Sequence, residues 1–262
     1  MSTAESSKVH RIVGSLQTRK HVLVTGATRG IGRAVVSRLL REGYDVSYTW
    51  LSSDEAASNI QMEASQFDGS VYPYQCDLTD TEQTCQLADV LSQKRPLHGI
   101  IHCATTTFTP PQASELTVQD WMAPLNINLV SPFILCSRLG PSLGADGAIV
   151  MVSSPNVAVG QEGMSTYAAS KAALESFSRV LARELGPAGV RVNVVRPEPT
   201  LTEGFMAQAP DGGVINELCL ATPLGRVANP DDVADAIYSL LGKDNRWVSG
   251  DILNVCGGFL AE

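Results

Sequence analysis

The chain has 262 residues, 44% of them hydrophobic and 18% charged, which fits one α/β domain, or at most two small ones, and argues against global disorder. The formal net charge is −8 with no basic tract, so nucleic acid and anionic membrane surfaces are poor partners. Six cysteines are scattered without a Cys-x-x-C pair and histidine is scarce, which predicts reduced thiols and no metal site.

The N-terminal segment shows no targeting signal. Residues 1–20 are polar and lack the apolar run of a signal peptide. No stretch of about 18 apolar residues occurs, so no transmembrane helix is predicted. We therefore expect a flexible lead-in over residues 1–20, no membrane association and a cytoplasmic location.

Strand-like and helix-like segments alternate along the chain. The predicted strands are 21–26, 45–50, 70–78, 97–104, 147–154, 189–197 and 250–258. The predicted helices are 29–43, a span ending near residue 66, 79–94, 118–143, the segment that contains Tyr167, and 231–242. This alternation, with near-continuous apolar strands, predicts a single Rossmann-type doubly wound parallel sheet with helices on both faces. We expect one domain over residues 21–262, with ligands at the carboxyl ends of the strands.

A glycine-rich loop joins the first strand to the first helix. It reads TGATRGIG over residues 25–32, with glycines at Gly26, Gly30 and Gly32. The spacing is G-x-x-x-G-x-G, which differs from the G-x-G-x-x-G dinucleotide fingerprint. Glycines permit a tight turn and close approach of a pyrophosphate, and a helix N-terminus supplies free N–H donors. A plain strand–helix turn is the alternative, but dinucleotide binding is favoured.

The end of the second strand predicts which dinucleotide binds. An acid there would hold the ribose 2′-hydroxyl of NAD. Ser52 and Ser53 occupy this place instead, and acids appear only at Asp54 and Glu55. Arg29, in the glycine loop, has the guanidinium that a 2′-phosphate would bind bidentately. The sequence therefore favours NADP(H), although Arg29 is alternatively a solvated loop charge.

The stretch STYAASK, residues 165–171, places Tyr167 and Lys171 one turn apart on the same face of a helix. A nearby ammonium favours the phenolate and is expected to lower the Tyr167 pKa, which would make the phenol a usable proton donor. Such pairs are common on solvated helix surfaces, so the pair alone does not decide between the two interpretations.

Several motifs follow one another in the order of a known family. They are TGATRGIG, CDLTD, NINLVSPF, VSS ending at Ser154, YAASK, VRVNVVRP and GDILNVCGG. Together they resemble the short-chain dehydrogenase/reductase family over about residues 20–260, and most closely its 3-oxoacyl-carrier-protein reductases and related ketoreductases. The resemblance implies an NADP(H)-dependent oxidoreductase that reduces a ketone.

The resemblance also implies catalytic roles. Tyr167 corresponds to the general acid/base, and Lys171 to the residue that lowers its pKa and holds the nicotinamide ribose. Ser154 corresponds to the residue that hydrogen-bonds the substrate oxygen, and Asn128 to the asparagine that supports a proton-relay water.

Two of these assignments have close competitors. Ser153 adjoins Ser154, and the 13-residue spacing to Tyr167 favours Ser154. Asn126 competes with Asn128, and the sequence NLVSPF favours Asn128.

The implied cofactor-binding set spans the glycine loop, the ends of the second to fourth strands, the catalytic pair and the region after the sixth strand. Its members are Gly26, Thr28, Arg29, Gly30, Ile31, Gly32, Ser52, Ser53, Asp77, Leu78, Ala104, Thr105, Tyr167, Lys171, Pro197, Thr200 and Thr202.

The chain departs from the family pattern in two places. The family's Asn-Asn-Ala-Gly is His102-Cys103-Ala104-Thr105 here, and the Pro-Gly after the sixth strand is Pro197-Glu198. His102 is expected to be a hydrogen-bonded structural residue. Glu198 is expected either to contact substrate or cofactor or to point to solvent. Neither departure is expected to touch the Ser–Tyr–Lys set.

The substrate is predicted only by class. Residues 201–226 correspond to the family's substrate lid, and their apolar side chains favour an apolar or mixed substrate, either a β-ketoacyl thioester or a small ketone. The turns 144–148 and 186–190 lack the cations that would receive an acidic carrier protein. An NAD-dependent alcohol dehydrogenase, an enoyl reductase and a non-catalytic dinucleotide-binding regulator remain alternatives. A homotetramer, or a dimer, is implied by the resemblance.

Overall fold

Seven parallel strands form one sheet in the computed structural model, which describes residues 19–106, 112–207 and 213–260. The expected lead-in therefore lies almost wholly outside the described residues. The strands are β1 (His21–Thr25), β2 (Asp45–Trp50), β3 (Val71–Gln75), β4 (Gly99–His102), β5 (Ala148–Val152), β6 (Arg191–Pro197) and β7 (Ile252–Val255). Their spatial order is β3-β2-β1-β4-β5-β6-β7, so the predicted Rossmann-type doubly wound sheet is confirmed.

Helices connect the strands and cover both faces of the sheet. They are α1 (Gly30–Arg41), α2 (Asp54–Ala64), α3 (Thr81–Ser92), α4 (Val118–Leu125), α5 (Ser131–Leu139), α6 (Asn156–Val159), α7 (Ser165–Leu185), α8 (Glu203–Met206), α9 (Gly213–Ala221) and α10 (Pro230–Leu241). Apolar residues of α1, α2 and α10 pack on one face. Those of α3, α5 and α7 pack on the other. The central strands β1 and β5 are buried along their whole length, as expected of a parallel sheet covered on both sides.

The long helix predicted over 118–143 is interrupted at its centre. A π-helical turn, Asn126–Val130, separates α4 from α5. Such turns are rare and occur most often near functional sites. This one brings Asn128 into a buried position beside α7.

A buried ion pair links α7 to β6 below the carboxyl end of the sheet. The Arg196 guanidinium donates to both carboxylate oxygens of Glu175, at 3.1 Å from Nε and 2.8 Å from Nη2. The Ser153 hydroxyl donates to Glu175 Oε1 at 2.6 Å. The Glu175 and Arg196 side chains are only 4% and 15% exposed, so removal of either one leaves the other as a buried charge without its ionic partner.

We expect Glu175→Ala to lower the free energy of unfolding by about 3–5 kcal/mol, because Arg196 keeps a buried and unpaired charge. The matched control is Asp89→Ala, which breaks the exposed Arg138–Asp89 pair and should cost less than about 1 kcal/mol. Urea unfolding of both variants measures the difference. Equal losses would contradict the ranking.

Candidate active site

The strand order reverses between β1 and β4, and sheets of this kind bind ligands in the crevice outside the carboxyl ends of the strands at such a switch point. Gly26 follows β1 with a φ of +65°, and a Cβ there would lie 2.6 Å from the Cα of Ala104, which follows β4. The Ala104 N–H donates to the Thr25 hydroxyl at 3.2 Å. Two members of the predicted cofactor-binding set, Gly26 and Ala104, therefore lie in contact at the crevice.

The glycine loop leads directly into α1. Gly30 has a φ of +52°, and a Cβ at Gly32 would lie 2.2 Å from the carbonyl oxygen of Gly26, so a larger residue would force the helix off the loop. Arg29 precedes the helix without a side-chain cap, and its exposed guanidinium has no hydrogen bond or ion pair within the described ranges. A helix N-terminus that its preceding residue does not cap, next to the Arg29 guanidinium, fits the phosphates of a dinucleotide. Thr28 and Ile31 are half-buried in the same loop.

The ends of β2 and β3 carry polar groups that already have structural partners. The Ser53 hydroxyl caps α2 by accepting from the Ala56 N–H at 3.2 Å. The Asp77 carboxylate accepts from the N–H and the hydroxyl of Thr79, at 2.9 and 2.7 Å. Ser52 is exposed and Leu78 is buried. Cofactor contacts of these four residues stay predictions.

Tyr167 and Lys171 lie one turn apart on α7, as predicted, with the Lys171 Nζ 5.8 Å from the centre of the Tyr167 ring. The Lys171 ammonium is buried and donates to the Val152 carbonyl at 2.8 Å. Hydrogen bonding with the Ser154 and Thr105 side chains lowers the pKa of the Tyr167 phenol, so both side chains lie beside it. Three hydroxyl groups therefore converge at the carboxyl ends of β4 and β5.

The sequence-based expectation for the Tyr167 pKa is wrong in direction. Burial raises this pKa more than the hydrogen bonds from Ser154 and Thr105 lower it. Burial also lowers the pKa of Lys171 to about 8, because an ammonium loses its hydration there. The phenol therefore holds its proton at neutral pH, and the lysine is close to its own titration.

The two adjacent serines, Ser153 and Ser154, have different hydrogen-bond partners. The Ser153 hydroxyl points to Glu175, away from Tyr167. The Ser154 hydroxyl hydrogen-bonds Tyr167 and accepts from the Asn156 N–H at 3.2 Å. Of the two candidates, only Ser154 reaches the phenol.

The asparagine pair also separates. Asn126 donates to the Thr79 carbonyl at 2.9 Å. Asn128 is buried in the π turn and donates to the Ser170 hydroxyl at 3.0 Å, and that hydroxyl donates to the Tyr167 carbonyl at 2.8 Å. Asn128 Oδ1 has no partner within the described part of the chain. Asn128 is therefore linked to the Tyr167 backbone through the Ser170 hydroxyl, and its role in a proton relay stays a prediction.

The segment after β6 borders the glycine loop. Pro197 ends the strand, and the Thr200 hydroxyl donates to the Glu198 carbonyl at 2.8 Å. Thr202 caps α8 by accepting from the Phe205 N–H at 3.2 Å. A Cβ at Gly30 would lie 2.9 Å from the Thr202 methyl group, so the start of α8 touches the loop.

The described ranges contain no group of three or more His, Cys, Asp or Glu side chains arranged to hold a metal ion. Among the same residues, no helix combines the length and hydropathy needed to cross a bilayer.

Comparison with known proteins identifies the family. The family model described as enoyl-(acyl carrier protein) reductase, one of the short-chain dehydrogenases, matches residues 26–260. The chain belongs to the short-chain dehydrogenase/reductase family. A 3-oxoacyl-[acyl-carrier-protein] reductase of Thermotoga maritima is 30% identical over 247 residues, which cover 92% of this chain and 98% of the relative. The chain is therefore an oxidoreductase of this family.

Solved structures of the family superpose on nearly the whole chain. A blue fluorescent protein from a metagenomic library, in complex with NADPH, is 33% identical with a TM-score of 0.86. A short-chain dehydrogenase from Burkholderia cenocepacia, in complex with NADP, is 32% identical with a TM-score of 0.86. Each match covers 92% of this chain and 98% of the other.

His102, at the first departure from the family pattern, is a buried and neutral side chain. Burial and the nearby Lys171 charge lower its pKa to about 3. Its Nε2 lies 3.2 Å from the Cys136 Sγ, while its Nδ1 has no partner within the described ranges. Burial raises the pKa of the neighbouring Cys103 thiol to about 12, so neither group carries charge at neutral pH.

Thr105 is the functional residue that the sequence reasoning misjudged. The departure at Thr105 leaves Ser154, Tyr167 and Lys171 in place, but hydrogen bonding with the Thr105 side chain lowers the pKa of Tyr167. The usable signal was its position: a hydroxyl residue three places after the last residue of a central strand, where the family pattern has glycine.

Glu198, at the second departure, does not point to solvent. It is 5% exposed and accepts a hydrogen bond from the Thr222 hydroxyl at 3.2 Å, and burial raises its pKa. The predicted lid consists of α8 and α9, with residues 208–212 outside the described ranges. Leu220 of α9 is 89% exposed.

Proposed function

We propose that the chain is an NADP(H)-dependent ketoreductase that converts a ketone, or a β-ketoacyl thioester, to an alcohol. The observation that carries this proposal is the convergence of the Ser154 and Thr105 side chains on Tyr167, beside Lys171 and next to the crevice. A carbonyl group in that position has a proton donor and a hydrogen-bond donor within reach of its oxygen.

Ser154, Tyr167 and Lys171 each act on a different charge that develops during the reaction. The glycine loop and Arg29 would hold NADPH, and the chemistry that the bound cofactor would supply is hydride donation to the carbonyl carbon. The carbonyl oxygen then gains negative charge, which the Ser154 hydroxyl stabilises by donating a hydrogen bond. Tyr167 gives its proton to that oxygen, and the alcohol is complete. The Lys171 ammonium stabilises the phenolate that remains until a proton returns from solvent.

The raised pKa of Tyr167 suits this direction. A phenol that keeps its proton at neutral pH is ready to donate, and an alkoxide is a strong enough base to take it. His102 is neutral and therefore has no imidazolium proton to give at neutral pH. The proposal accordingly assigns the proton donor to Tyr167.

The preference for NADP(H) has two supports in this chain. Arg29, in the glycine loop, has no partner among residues 19–106, 112–207 and 213–260, and residues 50–53 contain no acid to select a ribose 2′-hydroxyl. Two relatives of the same fold are solved with NADPH or NADP bound. In the assays below, an NAD-dependent alcohol dehydrogenase would prefer NADH to NADPH. A non-catalytic regulator would consume neither cofactor.

Enoyl reduction is the second candidate, favoured by the description of the matching family model. The four-residue spacing of Tyr167 and Lys171 favours ketone reduction over it. We also propose a homotetramer, or a dimer, in the cytoplasm. The half-exposed Phe133 of α5, which contacts Phe177 of α7, supports an interface on these helices.

We expect Tyr167→Phe to lower ketone turnover by about 10²-fold or more, because the proton donor is lost while NADPH still binds. The assay is NADPH consumption with ketones, β-ketoacyl thioesters and an enoyl thioester, repeated with NADH. Near-native turnover of the variant would remove Tyr167 from the reaction. Turnover of the enoyl thioester alone would favour the second candidate.

The adjacent serines give a matched pair. Ser154→Ala should lower kcat by about 10²-fold, since the developing oxyanion loses a preorganised donor. Ser153→Ala should keep kcat within a few-fold but lower the free energy of unfolding by about 1–2 kcal/mol, because Glu175 loses a buried donor. The reverse pattern in kinetics and urea unfolding would exchange their roles.

Ketone reduction should slow as the pH rises through about 8. Burial lowers the Lys171 pKa to that value, so the ammonium predominates below it and is lost above it. The measurement is the kcat/KM profile between pH 6 and 10. Lys171→Arg, whose charge persists over this range, should lose the step near pH 8 in whatever activity it keeps. A flat wild-type profile would contradict this assignment.

A further inference from the structure

A carboxylate of the lid lies on the glycine loop. Glu203, the first residue of α8, accepts a hydrogen bond from the Gly30 N–H through its Oε2, at 2.9 Å. Gly30 is the first residue of α1, and the Arg29 side chain does not cap this helix. One of the free donors at the N-terminus of α1 is therefore bound to an anion from the chain itself.

The contact is held from the lid side. Thr202 begins α8 as its cap, and its methyl group would be 2.9 Å from a Cβ at Gly30. Just before it, Thr200 pairs with Ala228, and the Leu201 N–H donates to the Ala228 carbonyl at 2.9 Å. These bonds fix the start of the lid next to the loop, so the Glu203 carboxylate is presented to Gly30 by a braced segment.

A dinucleotide brings its pyrophosphate to the same end of the same helix, because free N–H groups and positive potential attract anions there. The carboxylate occupies one of these donors and adds a negative charge beside the others. Two anions at one helix terminus repel each other, so the phosphate and Glu203 compete.

We propose that Glu203 is an internal competitor of the cofactor pyrophosphate, which latches α8 onto the glycine loop and weakens the binding of NADP(H). This inference rests on the proposed function for the identity of the cofactor. When the latch opens, α8 leaves Gly30 and the crevice gains access from the lid side. Glu203 thus sets how tightly the cofactor is held, without taking part in proton transfer.

The test is a titration of the protein with NADPH in the absence of substrate. Binding is measured from the change in NADPH fluorescence. Glu203→Gln should bind NADPH about three- to tenfold more tightly than the wild type, because the competing charge is gone. The control is Glu217→Gln, which removes an exposed carboxylate from α9 and should leave the affinity unchanged. Adenosine 2′-phosphate, which lacks the pyrophosphate, should bind wild type and Glu203→Gln equally.

A second measurement needs no cofactor. Hydrogen exchange of the Gly30 amide should be faster in Glu203→Ala than in the wild type, because its acceptor is lost. If the wild type binds NADPH and Glu203→Gln binds it equally or more weakly, the latch is overturned and the proposed function stands. If neither protein binds NADPH or NADH, the proposed function fails and the latch fails with it. An unchanged exchange rate at Gly30 would also overturn the latch.

Discussion

The site depends on the close contact between the ends of β1 and β4. Gly26 approaches Ala104 so closely that a single methyl group does not fit, and the Thr25 hydroxyl holds the Ala104 N–H in the same place. This contact fixes the distance between the two loops at the switch point of the sheet. It also places the loop that follows β4, with Thr105, within reach of the helix that carries Tyr167.

The second constraint is the burial of charged and polar side chains on α7, which excludes them from water. Lys171 retains one backbone carbonyl as a partner, and burial brings its pKa close to physiological pH. The same burial keeps Tyr167 protonated, while hydroxyl groups from the segments that follow β4 and β5 moderate the rise in its pKa. Glu175 and Arg196 form a charged cluster whose side-chain hydrogen bonds, within the described part of the chain, join them to each other, to Ser153 and to Asn254. Protonation at the site is therefore governed by few groups.

The sequence predicted the fold well because its signals are local. All seven strands and their parallel arrangement follow from apolar runs separated by helical spacing, and the glycines of the loop mark the turn before α1. Ser154 and Asn128 were preferred over their neighbours by spacing, and the structure shows that Ser153 and Asn126 bond elsewhere.

The contacts that the sequence could not predict join distant parts of the chain. Thr105 meets Tyr167 across 62 positions, which no spacing rule connects. Glu198 and Glu203 are acids after the sixth strand, and only the three-dimensional packing shows that one is buried against Thr222 and the other reaches Gly30. The direction of the Tyr167 pKa was also out of reach, because burial is a property of the whole fold.

The π turn at Asn126–Val130 limits how the protein can change in evolution. A π turn holds one more residue than an α-helical turn, so deleting one residue there would restore a regular helix. Each residue turns a helix by about 100°, so everything on one side of the deletion would rotate by that angle relative to the other side. The rotation would separate Asn128 from Ser170, or it would turn the apolar side of α5 away from the sheet. A single compensating substitution could not restore these contacts. We expect substitutions, rather than length changes, to be how this segment diverges among relatives.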